Sequence, residues 1–284
     1  MITVLEAIKL STEYLDKKGV ELPRANAEIL LAEILKCKRL ELYLSFEKPL
    51  NEKELNQYRE FIRQRGSRIP LQYITGHVEF FGMEFIVNHN VLIPRPETEL
   101  LVEKIILENN KSTEFRILDI GIGSGNISVV LAKHLPNARV TGIDISESAI
   151  NTAKQNAGLN LITDNLEIIR FDIFNDDLSQ LNKYDIIVSN PPYISQEDYK
   201  ELEPELKFHE PRIALTDGNN GFTFYKKIVN SAAQLLYPGG KIYFEVGKDQ
   251  HAKIFKILLE NNFRNVHFLK DYSGIERIIY GELE

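Results

Sequence analysis

The feature that most limits the folds open to this chain is an alternation that runs from about residue 116 to residue 246. Short apolar runs at Arg116 to Ile120, Arg139 to Asp144, Leu166 to Phe171, Tyr184 to Ser189 and Lys241 to Val246 are separated by segments of helical period at Ile127 to His134, Ser146 to Ala157 and Thr223 to Leu236. A continuous apolar run needs cover on both faces, whereas a strand with one wet face alternates polar and apolar residues. The pattern therefore predicts an α/β domain with a parallel sheet between two layers of helices. The tail from Asn265 to Leu283 reads instead as two strands about a turn at Ser273-Gly274, adding an antiparallel edge.

The N-terminal part differs. From Val4 to about Arg65 apolar residues recur at three and four, as in Leu5, Ile8 and Leu15 and then Ile29, Leu30, Ile34 and Leu35, which predicts three to four short amphipathic helices. Leu22-Pro23 and Pro49-Leu50-Asn51 break the pattern, and Asn51 with Glu54 three residues later forms a helix-start signal. Between Pro70 and Leu92 the period shifts towards two, with β-branched and aromatic residues and Gly76 and Gly82 as punctuation, so a β-hairpin is expected. The expected division is a helical domain over 1–69, a hairpin linker over 70–92 and an α/β domain over 93–284.

Charge and cysteine content narrow the chemistry. Lys and Arg number 34 against 41 Asp and Glu, a net charge of −7, the wrong sign for a protein whose main partner is nucleic acid. The single cysteine, Cys37, has no partner within the chain for a disulfide, and the six histidines lack ligand spacing, so no metal site is expected. No window approaches the roughly 20 apolar residues of a membrane span. A soluble, cytoplasmic protein is the expectation.

Between the first two strands lies Gly121-Ile122-Gly123-Ser124-Gly125, with Asn126 where a dinucleotide fingerprint has its last glycine and no Walker lysine after it. Asp144 ends the next strand, where a carboxylate can accept both hydroxyls of a ribose. Asp172 follows the third strand, placed for an adenine edge, and Asp119 precedes the loop. Carboxylates at successive strand ends suit an adenosine ligand without phosphates. S-adenosylmethionine fits, because its sulfonium and ammonium tolerate nearby acids while its carboxylate can use the helix start after Gly125. The expected cofactor contacts are Asp119, Gly121, Ile122, Gly123, Ser124, Gly125, Asp144, Ile145, Asp172, Ile173 and Asn190.

The fourth strand runs into Asn190-Pro191-Pro192-Tyr193 at the carboxyl end of the sheet, where open α/β folds carry their chemistry. The prolines fix φ and remove two donors, leaving an acceptor-rich loop. A planar nitrogen with two N–H groups could be held by the Asn190 side-chain oxygen and the Pro191 carbonyl, with Tyr193 packed on its face. These four residues are the expected catalytic and substrate-binding set. Arg95, Glu97 and Thr98 read equally as a gate or as an ordinary helix start, and Glu245 as a strand-end acid.

Asn-Pro-Pro-Tyr after DIGIGSG resembles the class I methyltransferases that modify adenine N6 or glutamine N5. The stretches PLQYITGHVEFFGMEFIV at Pro70 to Val87 and VLIPRPETELLVE at Val91 to Glu103 are similar to the HemK (PrmC) family, the protein-(glutamine-N5) methyltransferases of peptide chain release factors. The similarity covers essentially the whole chain, through EPRIAL, DGNNGFTFY, YPGGKIYFEVGKDQ and the final Asp271, Gly274 and Arg277. It implies a class I S-adenosylmethionine-dependent methyltransferase domain of Rossmann-like fold, a small N-terminal helical domain that helps recognise the substrate, and a β-hairpin linker. It also implies methylation of the glutamine in a Gly-Gly-Gln motif of class I release factors, S-adenosylhomocysteine as product, and a monomer, while the charge and hydropathy readings above leave neither nucleic acid nor membrane as an expected partner. Ile122 departs from the small polar residue usual in the family's loop, and Thr216-Asp217-Gly218 from a pair of glycines. A glutamine methyltransferase of a ribosomal protein, an adenine methyltransferase and a non-enzymatic adaptor are the competing readings.

Overall fold

Capping and period account for the helical part. The computed structural model of the chain describes residues 2–109 and 113–284. Helix α1 (Val4–Lys17) starts at a reciprocal cap between Thr3 and Glu6, α2 (Pro23–Leu35) has proline in its first turn, and α3 (Glu52–Gly66) starts at the Asn51–Glu54 capping box. The Asn51 side chain accepts the Glu54 N–H at 2.9 Å and Glu54 accepts the Asn51 N–H at 2.9 Å. Val4, Leu15, Leu30, Leu31, Leu42, Tyr58 and Ile62 form the core of these helices. The buried Tyr58 hydroxyl is satisfied by donating to the Ala27 carbonyl at 3.0 Å. The strand pattern expected from Pro70 does not begin there. Leu71 and Ile74 are three residues apart, and Leu71–Thr75 forms a short helix, α4, ended by Gly76 in the left-handed region. Strands β1 (His77–Phe80) and β2 (Met83–Ile86) follow and pair in a two-stranded sheet.

Contacts divide the chain into two units, one of residues 1–77 together with 203–209, the other of 78–202 with 210–284. The second unit opens with the hairpin and with α5 (Pro96–Asn109), whose first turn holds proline, Glu97 and Glu99. Then come β3 (Phe115–Ile120), α6 (Asn126–His134), β4 (Ala138–Asp144), α7 (Glu147–Leu159), β5 (Leu166–Arg170) and β6 (Tyr184–Ser189). After α8 (Pro204–His209), which belongs to the helical unit, α9 (Arg212–Leu215), α10 (Thr223–Leu235), β7 (Leu236–Glu245), α11 (His251–Glu260), β8 (Phe263–Lys270) and β9 (Glu276–Leu283) complete it.

The sheet has seven strands in the order β5-β4-β3-β6-β7-β9-β8. Strands β3 to β7 pair in parallel, whereas β9 is antiparallel to β7 and to β8. Chain order leaves β3 in one direction through β4 and β5 and returns to its other side with β6, so the switch point falls between β3 and β6. Neighbouring residues serve opposite faces: Leu118 and Ile187 join a core with α10 and α11, while Ile117 and Ile186 join one with α5, α6, Phe80 and Phe85. Among the described residues no helix is long and apolar enough to cross a membrane.

Candidate active site

The loop after β3 takes its shape from backbone that only glycine enters readily. Gly121, Gly123 and Gly125 all have positive φ. Gly125, at φ +83°, also starts α6 and lies so close to α7 that a Cβ there would stand 3.1 Å from the Ala153 Cβ and 3.2 Å from its Cα. Ile122 turns its side chain inward onto Ile150 and Ala153, filling the space that a side chain at Gly142 would need. The departure at Ile122 is thus absorbed by the core.

Asp144, at the end of β4, holds this loop. Its Oδ2 accepts the Gly123 N–H at 3.0 Å and its Oδ1 accepts the Ser146 N–H at 2.9 Å. Burial pushes its pKa above the ordinary value against the pull of those backbone donors. Asp119 lies deeper, fully buried, with Oδ2 accepting from the Ser128 hydroxyl at 2.6 Å and Oδ1 without a hydrogen-bond partner among the described residues. Burial, aided by the negative charge of Asp144, pushes its pKa up to about 7. Asp172 differs again: burial would raise it, but donors at Phe174 N–H, 2.8 Å, and Asn175 Nδ2, 2.7 Å, hold its pKa below the usual value. Its carboxylate organises its own turn.

A cavity of about 170 Å³ opens at the switch point. Gly121, Ile122, Gly123, Ser124, Asp144, Ile145, Asp172, Ile173, Asn190, Pro191 and Pro192 line it. Thr98, Phe171, Ala214 and Phe224 add to the wall. Asp119, Gly125 and Tyr193 are not among the lining residues: the first is buried behind the loop, the second at the loop–helix junction, and Tyr193 packs against the core around Tyr225. Burial raises the Tyr193 phenol well above its ordinary value. Among the described residues no group of three or more His, Cys, Asp or Glu side chains is arranged to hold a metal ion.

Several contacts that shape this site join residues far apart in the sequence, and Asn156, Gln250 and Glu210 among them carried no individual sequence signal. Asn190 Nδ2 donates to Thr98 Oγ1 at 3.4 Å, and the Thr98 hydroxyl donates to Glu245 Oε2 at 2.5 Å. Asn156 on α7 donates to the carbonyls of Ile86 at 2.9 Å and Ser124 at 2.8 Å and accepts the Ile86 N–H at 2.6 Å, tying β2 to the glycine loop. Gln250 donates to the Tyr193 carbonyl at 2.8 Å while accepting the Gly247 N–H at 3.1 Å. Asp217 accepts the N–H groups of Asn219, Gly221 and Thr223 at 2.8, 3.0 and 2.9 Å, so the departure from a glycine pair yields a loop built around one carboxylate. That loop meets the segment after Asn190 through Ile194 N–H to Leu215 carbonyl at 3.0 Å and Gln196 N–H to Asn219 carbonyl at 2.9 Å. Arg95 pairs with the buried Glu210 at 2.5 Å, which gives it a structural partner. Asp271 likewise organises the β8–β9 turn, accepting the N–H groups of Ser273 and Ile275 at 2.9 Å each and Arg277 Nε at 3.1 Å.

Family models match both parts of the chain: that of the PrmC N-terminal domain over residues 6–76, and that of a methyltransferase domain over residues 111–275. The release factor glutamine methyltransferase of Fusobacterium nucleatum subsp. nucleatum is 43% identical, over 97% of this chain and 77% of its own length. That of Rhodopirellula baltica is 40% identical, over 98% of this chain and 95% of its own. Among solved structures, a methyltransferase from Pyrococcus furiosus is 19% identical and has a TM-score of 0.52, over 72% of this chain and 90% of that one, a likeness of fold. With the strand order, the glycine loop at the switch point and relatives that match nearly all of this chain, the chain belongs to the release factor glutamine methyltransferases, the HemK (PrmC) family, and carries their class I methyltransferase fold together with an N-terminal helical domain.

Proposed function

We propose that this protein transfers a methyl group from S-adenosylmethionine to the N5 amide nitrogen of the glutamine in a Gly-Gly-Gln motif of class I release factors, by direct in-line transfer. The cavity residues fit that cofactor. The two Asp144 oxygens together offer about four acceptor sites, more than their backbone donors fill, which leaves room for ribose hydroxyls, and the cationic groups of the cofactor suit a wall that carries the Asp144 and Asp172 carboxylates. When bound, the cofactor supplies an electrophilic methyl on a sulfonium.

The support comes chiefly from the acceptor-rich corner at Asn190. Its Nδ2 is directed to Thr98, which leaves Oδ1 as an acceptor, and the Pro191 carbonyl is the next acceptor along the loop. A carboxamide nitrogen is a weak nucleophile because its lone pair is delocalised, so the site must hold it in line with the methyl and exclude water. As that nitrogen gains positive charge, its N–H groups become stronger donors, and acceptors fixed beforehand stabilise the transition state more than the ground state. No base is required in the transfer step, since the alkylated nitrogen is strongly acidic and loses its proton afterwards.

The test is transfer of labelled methyl from S-adenosylmethionine to unmodified release factor, its Gly-Gly-Gln glutamine→Ala variant, a ribosomal protein acceptor and duplex DNA. Label in the wild-type release factor alone supports the reading. Label in the ribosomal protein or DNA instead overturns the substrate, and no label with cofactor bound overturns the activity.

A further inference from the structure

We infer that Thr98 and Glu245 are positioning residues that decide which way round the Asn190 amide stands, and so make its oxygen the group that orients the substrate. The inference rests on the proposed role of Asn190 as an acceptor for the glutamine amide, and deepens it.

Thr98 Oγ carries one hydrogen, and at 2.5 Å from Glu245 Oε2 that hydrogen is committed to the carboxylate. Thr98 Oγ can then only accept. An Asn190 amide with nitrogen towards Thr98 gains a hydrogen bond, at 3.4 Å here, whereas the flipped amide would set oxygen against oxygen. Asn190 Oδ1 is thereby left for the cavity that both Asn190 and Thr98 line.

Glu245 gives this arrangement its direction in its ionised form, because a carboxylate accepts and never donates, so the kinetics below are compared above pH 7. The residue is 1% exposed, at the end of β7, outside the cavity wall and in no ion pair among the described residues. A buried acid without a counter-ion is costly, and a glutamine of the same shape would be cheaper to bury. Its acceptor-only chemistry is what glutamine lacks. The Tyr225 hydroxyl donates to the Glu245 carbonyl at 2.8 Å and pins the strand end. Burial pushes the carboxyl up to about 7, while Thr98, Arg277 and Arg95 pull it down and Glu97 opposes them. Tyr193 and Tyr225 are the other titratable neighbours.

The experiment is a double-mutant cycle on release factor methylation, with cofactor affinity measured by calorimetry. Thr98→Val should lower kcat at least about tenfold while KM for release factor and cofactor Kd move less than about threefold, the pattern of an interaction used only in the transition state. Thr98→Ser keeps the hydroxyl and should return kcat to within about threefold of wild type, and Thr98→Val added to Asn190→Ala should cost nothing more. Glu245→Gln, isosteric, should lower kcat less than Thr98→Val, because its amide can present either face to Thr98; it carries the test if the valine variant does not fold. Wild-type kcat in both Thr98→Val and Glu245→Gln, or a Thr98→Val loss that simply adds to that of Asn190→Ala, overturns the inference. Near-normal turnover by Asn190→Ala instead overturns the acceptor role beneath it.

Discussion

Arg68 grips Glu205 through two parallel contacts, Nε to Oε1 at 2.6 Å and Nη2 to Oε2 at 2.5 Å. Arg65 adds a third, Nη2 to Oε1 at 2.9 Å, and its side chain is only 8% exposed. Removing the carboxylate would leave a nearly buried guanidinium unpaired. Glu205→Ala should therefore destabilise the helical unit by about 2 kcal/mol at neutral pH, a discounted value for a pair short of full burial. Burial alone would raise the Glu205 pKa, but the two arginines hold it below its ordinary 4.5, so this contribution is present above pH 4.5 and fades as pH falls through the lower folded value. Thermal melts of variant and wild type should converge on acidification; a gap that persists undiminished in acid would show that the pairing is not its source.

Asn190→Ala removes one of the proposed acceptors without touching the glycine loop. The expected loss is about 10² to 10³ in kcat, the usual worth of one preorganised polar group facing developing charge. Cofactor affinity, read by calorimetry, should stay within about threefold, because the Asp144 side of the cavity is unaltered.

Gly221 tests the backbone behind the Asn-Pro-Pro-Tyr loop. It sits at φ +79°, and a Cβ there would stand 2.2 Å from the Tyr193 carbonyl oxygen and 2.8 Å from Gln250 Nε2. Gly221→Ala must push the loop or break the Gln250 bond, at a backbone cost of about 1–2 kcal/mol before the clash is counted. Turnover should fall at least about tenfold with cofactor affinity nearly unchanged. Equal losses in both would mean that the loop and the cofactor cradle move together.

Asp144→Asn and Asp144→Ala separate shape from charge. Asparagine must turn its NH₂ towards either the Gly123 or the Ser146 N–H, setting donor against donor. Cofactor affinity should drop at least about tenfold in both, and the isosteric asparagine should not rescue it. Binding measured by calorimetry decides, and a normal Kd for Asp144→Asn would remove the ribose role.

Asp119 predicts a pH dependence of stability of unusual sign for an acid. Its folded pKa of about 7 lies above the ordinary 3.8, so the folded state binds the proton more tightly and stability declines as pH rises from about 4 to 7. Glu245 and Asp144, also raised by burial, slope the same way, and carboxylates held low such as Glu205 and Asp172 slope the opposite way, so the comparison must be internal. Asp119→Asn, neutral throughout, should gain melting temperature relative to wild type across that window in the absence of cofactor. Parallel curves for the two proteins would place the Asp119 pKa near 3.8.

The parallel core was legible because its strands are continuous apolar runs, and Tyr184–Ser189 is a strand over those same residues. Reading failed where local cues conflicted. Leu71–Thr75 carries β-branched and aromatic residues, yet Leu71 and Ile74 pack with the helices. Strand β7 begins at Leu236, earlier than its apolar run, because Leu236 pairs with Tyr184 before a register shift that absorbs Pro238-Gly239-Gly240. Helix α11 has the helical spacing Ile254, Ile257 and Leu258 but no side-chain cap at Gln250 to announce it. At the site, Asp144 and Asn190 stood out because strand ends and proline turns are local signals. Thr98 with Glu245, and Asn156 with Ile86, are joined across 147 and 70 positions, and no local pattern encodes such pairs.

The unit that contains α1 to α4 also claims residues 203–209, which are encoded far downstream, between Asn-Pro-Pro-Tyr and α9. The helical module is therefore discontinuous in the gene. Recombination or grafting that exchanges only the N-terminal stretch would remove Arg65 and Arg68 and leave Glu205 facing foreign partners. Changes that retune the helical module must be matched by changes in α8, which follows the Asn-Pro-Pro-Tyr segment in the sequence, and this binds the two regions into one inheritance.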